Sequence, residues 1–222
     1  MIRNICNNVL KKEFTEELEN FLVNELLIKN TLNIPDILFY SMSTDLVHYH
    51  TPAHILNMFD FAISNQLLLQ PGQKLAVWFH DAVYIPNRSD NEEKSESLMM
   101  LLLDHLIPKN IINISSDIIL DTKKHFTKTP LYSKYSELVM DLDLCSFCDS
   151  FDYVLMHNEQ IDKEFSINYK DSLDYYYSLR IKFLQTILNC KQIFRTDYFI
   201  DKFEKHAREN ISTLIGIYND RC

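Results

Sequence analysis

Residues 74–84 read KLAVWFHDAVY, an apolar run that ends in a His-Asp pair. The run follows the turn residues Pro71 and Gly72, and its five consecutive apolar side chains at 75–79 predict a buried helix. An aspartate directly behind such a run costs free energy unless it is paired or bound to a metal ion. His80 and Asp81 therefore predict a polar site at the end of this helix.

Helical periodicity recurs along the rest of the chain. Phe14, Leu18, Phe21, Leu22 and Leu26 form an apolar stripe at helical spacing. Only two glycines occur in 222 residues, which leaves little of the turn chemistry that β-hairpins need. Further helices are predicted over 51–68 (cap Thr51, first helical residue Pro52), 74–82, 89–106 (cap Ser89 or Asp90), 115–125, 136–148, 150–166, 171–190 and 197–219. The sequence therefore predicts an all-α fold.

No linker, repeat or low-complexity stretch divides the chain, and its length suffices to bury a sizeable core. We therefore expect a single-domain helical bundle over residues 1–222. The residues that carry chemistry fall at about 45–145, and the helices of 150–219 are expected to pack on that part.

Composition excludes several classes of function. A net charge of −9 gives no basic footprint for extended nucleic acid, and no apolar run approaches the length of a membrane span. The N-terminal residues MIRNICNNVLKKEF lack the apolar region of a signal peptide. The odd, scattered set of cysteines at 6, 145, 148, 190 and 222 suits reduced thiols, and Cys145 and Cys148 are expected as core thiols. These features favour a cytoplasmic protein and indicate no particular oligomeric state.

A second histidine-rich stretch, HYHTPAH at 48–54, lies ahead of the His-Asp pair. Because Pro52 begins a helix, His54 falls in its first turn, whereas His50 stands outside it beside the helix N-terminus, where an anion is stabilised. His80 and Asp81 point about 100° apart on a helix, so both reach one ion only at the helix edge. Imidazoles and carboxylates together suit a divalent Mn, Fe, Ni, Co or Zn ion.

Two aspartates in the stretch DLDL at 141–144 are further candidates. Asp141 and Asp143 lie about 200° apart on a helix, so only one of them is expected to face a metal ion. Any one of these side chains alone is more often a satisfied core or solvated group. In the order H…HD…D they jointly predict a metal site.

This order resembles the signature of the HD-domain metal-dependent phosphohydrolases, an all-α superfamily. Five motifs follow one another as in one bacterial subfamily of predicted HD phosphohydrolases: YHTPAHILNM, AVWFHDAVY, NEEKS, DLDL and FEKHAREN. The resemblance covers about residues 45–215. The YHxxxH element also resembles cyclic nucleotide phosphodiesterases, in which the first histidine donates a proton to the leaving oxygen and the second binds metal.

The resemblance implies an HD-type bundle with one divalent ion, such as Mn, Fe, Ni, Co, Zn or Mg. Its ligands would be His54, His80, Asp81 and one aspartate of DLDL. Asp143 is favoured because the second carboxylate of D-x-D is usually the ligand in related HD proteins. His50 becomes the candidate general acid.

Further residues near these motifs are candidates for substrate binding or catalysis. Glu92 or Glu93 could orient the attacking water, although acidic residues in a first turn also serve the helix dipole. His125 could contact phosphate or hydrogen-bond a metal ligand. Asn91, Arg88 and Lys123 are candidate substrate-binding residues.

The resemblance implies hydrolysis of a phosphate ester or anhydride in a small molecule, most simply a nucleotide. Val47 and Asp162 stand where the subfamily has arginines, which implies an altered substrate or a lowered affinity. The alternatives are a non-catalytic nucleotide-binding sensor and, less favoured, a di-iron oxygenase. The oxygenase needs more ligands, and only His105 and His125 offer further imidazoles between Asp81 and DLDL.

Overall fold

A computed structural model describes residues 7–127, 129–169 and 171–221. Over these residues the chain forms an all-α, single-domain helical bundle without strands, as the sequence predicts. The α-helices are α1 (Asn7–Asn20), α2 (Ile34–Ser41), α3 (Pro52–Ser64), α4 (Pro71–Phe79), α5 (Asn91–Leu103), α6 (Lys109–Thr122), α7 (Ser136–Asp143), α8 (Phe151–Phe165), α9 (Leu173–Leu188) and α10 (Asp197–Asn219). There are also a π-helical turn at Phe21–Glu25 and two 3₁₀ helices, at Cys145–Cys148 and Ser166–Tyr169.

Two expectations from the sequence, on the N-terminal stretch and on the cysteines, concern residues that are only partly described. The N-terminal stretch up to Cys6, and Cys222, lie outside the described residues. The three cysteines that are described, at 145, 148 and 190, are free thiols. No helix in the described part of the chain is long and apolar enough to cross a membrane.

The starts of three helices show how local sequence fixes the elements. α3 begins at Pro52 after Thr51, and α5 begins after Asp90, as predicted, but neither cap side chain bonds the helix backbone. Asp90 instead pairs with Arg88. At α4 the side chain of Gln73 accepts the backbone N–H of Gln70 at 2.9 Å, and the Gln70 side chain accepts in return, which forms a capping box.

Some predicted boundaries were wrong. The helix predicted over 136–148 ends at Asp143, and a 3₁₀ helix follows it. α6 begins earlier than predicted, at Lys109, and ends at Thr122, so His125 lies in the following loop. α2 was not predicted, because its eight residues are too few for a clear periodic pattern.

The core lies around α4, which the sequence predicts to be buried. Its residues 75–79 are all 2% exposed or less. α4 packs on α6, α6 packs on α5, and both α3 and α4 contact α7. This arrangement brings the N-terminus of α3 together with the C-termini of α4 and α7, the three places where the candidate ligands lie.

Gly72 lies where α4 packs closely against α6. A Cβ atom at this position would lie 2.8 Å from Ile114 Cγ2 and 3.2 Å from Ile114 Cβ. The Gly72 carbonyl also accepts a hydrogen bond from Ser115 Oγ at 2.8 Å. Gly216 differs, because nothing lies within 4 Å of a Cβ atom built there.

The two glycines should therefore respond to alanine in opposite directions. Gly72→Ala should lower the free energy of unfolding by about 1 kcal/mol or more through overpacking against Ile114. Gly216→Ala should raise it by about 0.5–1 kcal/mol, because alanine is favoured inside the exposed part of α10. Urea unfolding followed by circular dichroism measures both changes. A shift of the same sign in both variants would contradict the close helix contact.

Candidate metal centre

Four side chains converge at the end of α4. His54 comes from α3, His80 and Asp81 follow α4, and Asp143 ends α7. One ligand atom from each lies within 4.8 Å of all the others. The two histidines are buried, and the side chains of Asp81 and Asp143 are 13% and 19% exposed. This group could hold a metal ion.

The separations between these atoms resemble those of ligands around one ion. His54 Nε2 lies 3.0 Å from Asp143 Oδ1 and 3.9 Å from Asp81 Oδ2. His80 Nε2 lies 3.2 Å from Asp81 Oδ2 and 3.4 Å from Asp143 Oδ1. Ligands held at about 2.1 Å from an ion are themselves about 3 Å or more apart. The observed distances therefore need little rearrangement to accept a divalent ion.

The ring of His80 gives a specific test of fit. Its Nδ1 lies 3.0 Å from the carbonyl oxygen of Val77, which places a proton on Nδ1. Its Nε2 is buried and has no hydrogen-bond partner among the described residues. An unsatisfied buried nitrogen is unfavourable, and metal-ligating histidines often donate their other nitrogen to a backbone carbonyl. His80 thus fits a metal ligand.

The local charges favour a cation at the same place. Burial lowers the pKa of His80, but the carboxylates of Asp81 and Asp143 outweigh this and raise it well above its ordinary value. Burial raises the pKa of Asp143, but His80 and hydrogen bonds from His125 and His54 hold it well below its ordinary value. The site therefore keeps its carboxylates ionised and favours positive charge between them.

The two aspartates of α7 have different surroundings. Asp143 lies in the cluster. Asp141 instead accepts the backbone N–H groups of Arg195 and Thr196, both at 2.8 Å, and the Thr196 hydroxyl at 2.7 Å. Asp141 is therefore committed to holding the loop before α10.

His125 reaches the cluster from the loop after α6. Its Nε2 lies 2.8 Å from Asp143 Oδ2, the oxygen that does not face His54. Arg195 Nη2 donates to the carbonyl oxygens of Lys124 and His125, at 2.9 and 3.2 Å, and so fixes this loop. His125 is thus placed to orient the carboxylate of Asp143.

His50 lies just outside the four-residue group. Its Nδ1 is 2.7 Å from Glu164 Oε2, and its ring stacks on Tyr84 with centroids 3.7 Å apart. Glu164 Oε1 accepts three consecutive backbone N–H groups, from His48 and Tyr49 at 2.6 Å and from His50 at 2.9 Å. One buried carboxylate therefore fixes both the backbone before α3 and the ring of His50.

The pair of His50 and Glu164 is electrostatically matched. Burial lowers the pKa of His50, but its hydrogen bond to Glu164 and nearby carboxylates raise it overall. Burial raises the pKa of Glu164, but its bonds to His50 and to the backbone lower it overall. Each of the two groups thus favours the charged form of the other.

The two glutamates at the start of α5 separate clearly. Glu93 is exposed and pairs with Lys123 at 2.6 Å. Glu92 is half-buried, and its pKa is raised by burial and by the nearby charge of Asp81. Glu92 also lies 3.8 Å from Lys123 Nζ, but it is the one of the two whose pKa the charge of Asp81 raises.

The other predicted substrate-binding side chains have partners within their own loop. Asn91 is buried and bonds both the N–H and the carbonyl of Ile85 at 3.1 Å. Arg88 forms two hydrogen bonds to Asp90, at 2.7 and 2.6 Å. Asn91 and Arg88 therefore shape the loop between the His-Asp pair and α5.

At the two positions where the resemblance implies an arginine, this chain has Val47 and Asp162, so neither supplies a cation. Val47 is buried. Asp162 accepts hydrogen bonds from Tyr176 at 2.7 Å and Tyr218 at 2.9 Å, and lies 3.7 Å from Arg180 Nε.

Glu164, Tyr84 and Arg195 were not predicted as site residues. Only Glu164 carried a usable signal: it shares one face of α8 with the buried Val154 and His157. A carboxylate on an apolar helix face is costly unless it is paired. Arg195 and Tyr84 had no such signal, because their contacts depend on where separate loops meet.

Comparison with known proteins identified no relative of this chain. No protein-family model matches the sequence, and neither the curated proteins nor the solved structures contain a match. The candidate site is therefore defined by its own residues.

Metal binding should stabilise the fold. A divalent ion at 100 times its Kd should raise the free energy of unfolding by about 2.7 kcal/mol, because only the folded chain assembles the four ligands. Treatment with a chelator should reverse this gain. His80→Ala should show no gain. An equal rise in Tm for wild type and His80→Ala on adding Mn²⁺ or Zn²⁺ would count against the site.

Substitutions of the two aspartates of α7 should affect different properties, metal affinity at Asp143 and stability at Asp141. Asp143→Asn should lower metal affinity by more than about tenfold, since it removes a charged ligand. Asp141→Asn should retain metal affinity but lose about 1–3 kcal/mol of stability, because it places an amide against buried donors. Isothermal titration and urea unfolding measure the two effects. Equal losses of metal affinity would contradict the assignment.

Proposed function

We propose that this protein is a metal-dependent phosphohydrolase of the HD-domain type, which hydrolyses a phosphate ester or anhydride in a small molecule such as a nucleotide. The observation that carries the proposal is the cluster of His54, His80, Asp81 and Asp143, with the Glu164-bound His50 beside it. The order of the sequence motifs supports the same superfamily.

The four clustered side chains would hold one divalent ion. Two imidazoles with two carboxylates suit Mn, Fe, Co, Ni or Zn better than Mg, which prefers oxygen ligands. When bound, such an ion polarises a phosphoryl oxygen and lowers the pKa of water, so that hydroxide is available near neutral pH. His125 supports this set through its hydrogen bond to Asp143.

His50 is the proposed general acid. Nδ1 hydrogen-bonds to Glu164, which raises the pKa of the ring and so favours the imidazolium form that carries a proton on Nε2. As the phosphorus–oxygen bond to the leaving group breaks, that oxygen takes the proton from Nε2. Glu92, whose pKa is raised by burial, is the proposed acceptor for the proton that the attacking water loses.

A small substrate fits the charge of the protein. The net charge of −9 argues against a polyanion, whose binding relies on many lysine and arginine contacts. Near the candidate metal centre, Arg88 and Lys123 are already paired with acidic side chains. We therefore infer a substrate with few phosphates, recognised within the site itself.

A phosphate-release screen tests the proposal. Mono-, di-, tri- and cyclic nucleotides should be offered to the metal-loaded chain, with His80→Ala as the matched control. The expected result is hydrolysis by the wild type alone, seen as release of phosphate, pyrophosphate or a nucleoside, or as conversion of a cyclic nucleotide to its monophosphate. Nucleotide binding without turnover would favour the sensor, and oxygen consumption would favour the oxygenase.

The general acid and its carboxylate should give distinct kinetic signatures. His50→Ala should retain the metal but lose about 10²–10⁴-fold in rate. Glu164→Gln removes the charge that raises the pKa of His50. As the pH is raised, the rate of this variant should therefore begin to fall at a lower pH than the rate of the wild type. If His50→Ala lost metal as completely as His54→Ala, His50 would be a ligand and not the acid.

A further inference from the structure

Glu164 and two tyrosines contact the ring of His50. Its Nδ1 lies 2.7 Å from Glu164 Oε2. Tyr84 stacks on the ring, with centroids 3.7 Å apart and planes 14° apart, and Tyr49 meets it at 87° with centroids 5.0 Å apart. The hydrogen bond alone leaves the ring plane free to tilt, because the terminal torsion of a histidine side chain has broad minima. The stack with Tyr84 restricts that tilt.

The plane of this ring matters because its two nitrogens have different tasks. Nε2 lies on the far side of an imidazole from Nδ1, which in His50 is bound to Glu164. A general acid must hold its proton within hydrogen-bond reach of the leaving oxygen. A tilted ring would point Nε2 in another direction even while the bond to Glu164 persisted.

The backbone on both sides of Tyr84 is fixed by α5. Ser95 Oγ accepts the N–H of Val83 at 3.0 Å and donates to the carbonyl oxygen of Val83 at 3.3 Å. The amide of Asn91 makes the same two kinds of bond with Ile85, both at 3.1 Å. Both α5 side chains are buried. Because Val83 and Ile85 flank Tyr84, its main chain cannot shift without breaking buried hydrogen bonds.

This contact gives a role to the stretch NEEKS, whose first and last residues are Asn91 and Ser95. Residues four apart lie on the same face of a helix, so both side chains meet the same loop. That loop begins at the His-Asp pair and carries Tyr84. The stretch therefore reaches the candidate site through Tyr84 as well as through its glutamates.

We propose that Tyr84 is a positioning residue for His50, and that Asn91 and Ser95 hold Tyr84 in place. The stacked ring fixes the plane of the imidazole, so that Nε2 keeps one direction while Glu164 holds Nδ1. The task of the held proton, to protonate a leaving oxygen, rests on the proposed function. The hold on the ring itself does not depend on turnover.

A proton–carbon NMR spectrum of the full chain, loaded with diamagnetic Zn²⁺, tests the hold on the ring without turnover. An aromatic ring stacked on an imidazole shifts the imidazole signals upfield. The His50 signal is identified by its absence from His50→Ala. Tyr84→Phe retains an aromatic ring and should leave this signal upfield, whereas Tyr84→Leu should move it downfield.

Two phosphate esters separate the positioning of an acid from a general loss of structure. para-Nitrophenolate is weakly basic and leaves without a proton, whereas phenolate is more basic and gains from protonation. Tyr84→Leu should slow hydrolysis of phenyl phosphate by about 10- to 100-fold, the cost of a misplaced group, and that of para-nitrophenyl phosphate by about twofold at most. Tyr84→Phe should match the wild type with both esters.

Two serines of α5 provide a matched pair of variants. Ser95→Ala removes both bonds to Val83 and should reproduce the changes of Tyr84→Leu to a smaller extent. It decides the matter if Tyr84→Leu is unfolded. Ser97 is exposed and bonds the carbonyl oxygen of Glu93 in its own helix at 2.7 Å, so Ser97→Ala should change neither the imidazole signal nor either rate.

The outcomes distinguish the positioning role from the hydrolase proposal. An unmoved His50 signal in both Tyr84→Leu and Ser95→Ala would overturn the positioning role. Equal slowing of both esters, or equal losses in Tyr84→Phe and Tyr84→Leu, would also overturn it. Failure of the wild type to hydrolyse either ester, with the NMR changes as expected, would count against the hydrolase proposal and leave the positioning of the ring standing.

Discussion

The carboxylate of Asp143 is the group on which the candidate site depends. Three imidazoles from different segments meet it: His54 at 3.0 Å and His80 at 3.4 Å on Oδ1, and His125 at 2.8 Å on Oδ2. These histidines belong to α3, the end of α4 and the loop after α6, so one side chain ties three parts of the bundle together. Two like-charged carboxylates at this point, Asp81 and Asp143, are tolerable because positive charge lies between them.

Four other buried or half-buried carboxylates in the described part of the chain hold loops instead. Asp121 accepts the N–H groups of residues 132 and 133, Asp141 those of 195 and 196, Glu164 those of 48–50, and Glu204 those of 193 and 194. Each fixes a loop whose backbone donors would otherwise lack partners. Asp143 is hydrogen-bonded to imidazoles instead, which distinguishes it from the carboxylates that hold loops.

The same loops shape the surroundings of the site. Glu164 sets the path of the chain into α3 and thereby the places of both His50 and His54. Asp141 fixes the loop that carries Arg195, and Arg195 in turn fixes the loop that carries His125. The position of the candidate acid therefore depends on Glu164. The position of His125, which contacts Asp143, depends on Asp141 and Arg195, although these residues lie far apart in sequence.

The sequence by itself determined the all-α class, the buried helix α4 and the groups that could bind a metal. Each of these depends on spacing within one segment, which the helical period translates directly into faces and ends. Only the tertiary structure decided that Asp143 and not Asp141 joins the cluster, that Lys123 lies closer to Glu93 (2.6 Å) than to Glu92 (3.8 Å), and that Glu164 holds His50 from 114 residues away. It also placed the guanidinium of Arg195 on the carbonyl oxygens of Lys124 and His125. These features depend on how helices rotate against one another and where loops meet, and no local pattern in the chain specifies either.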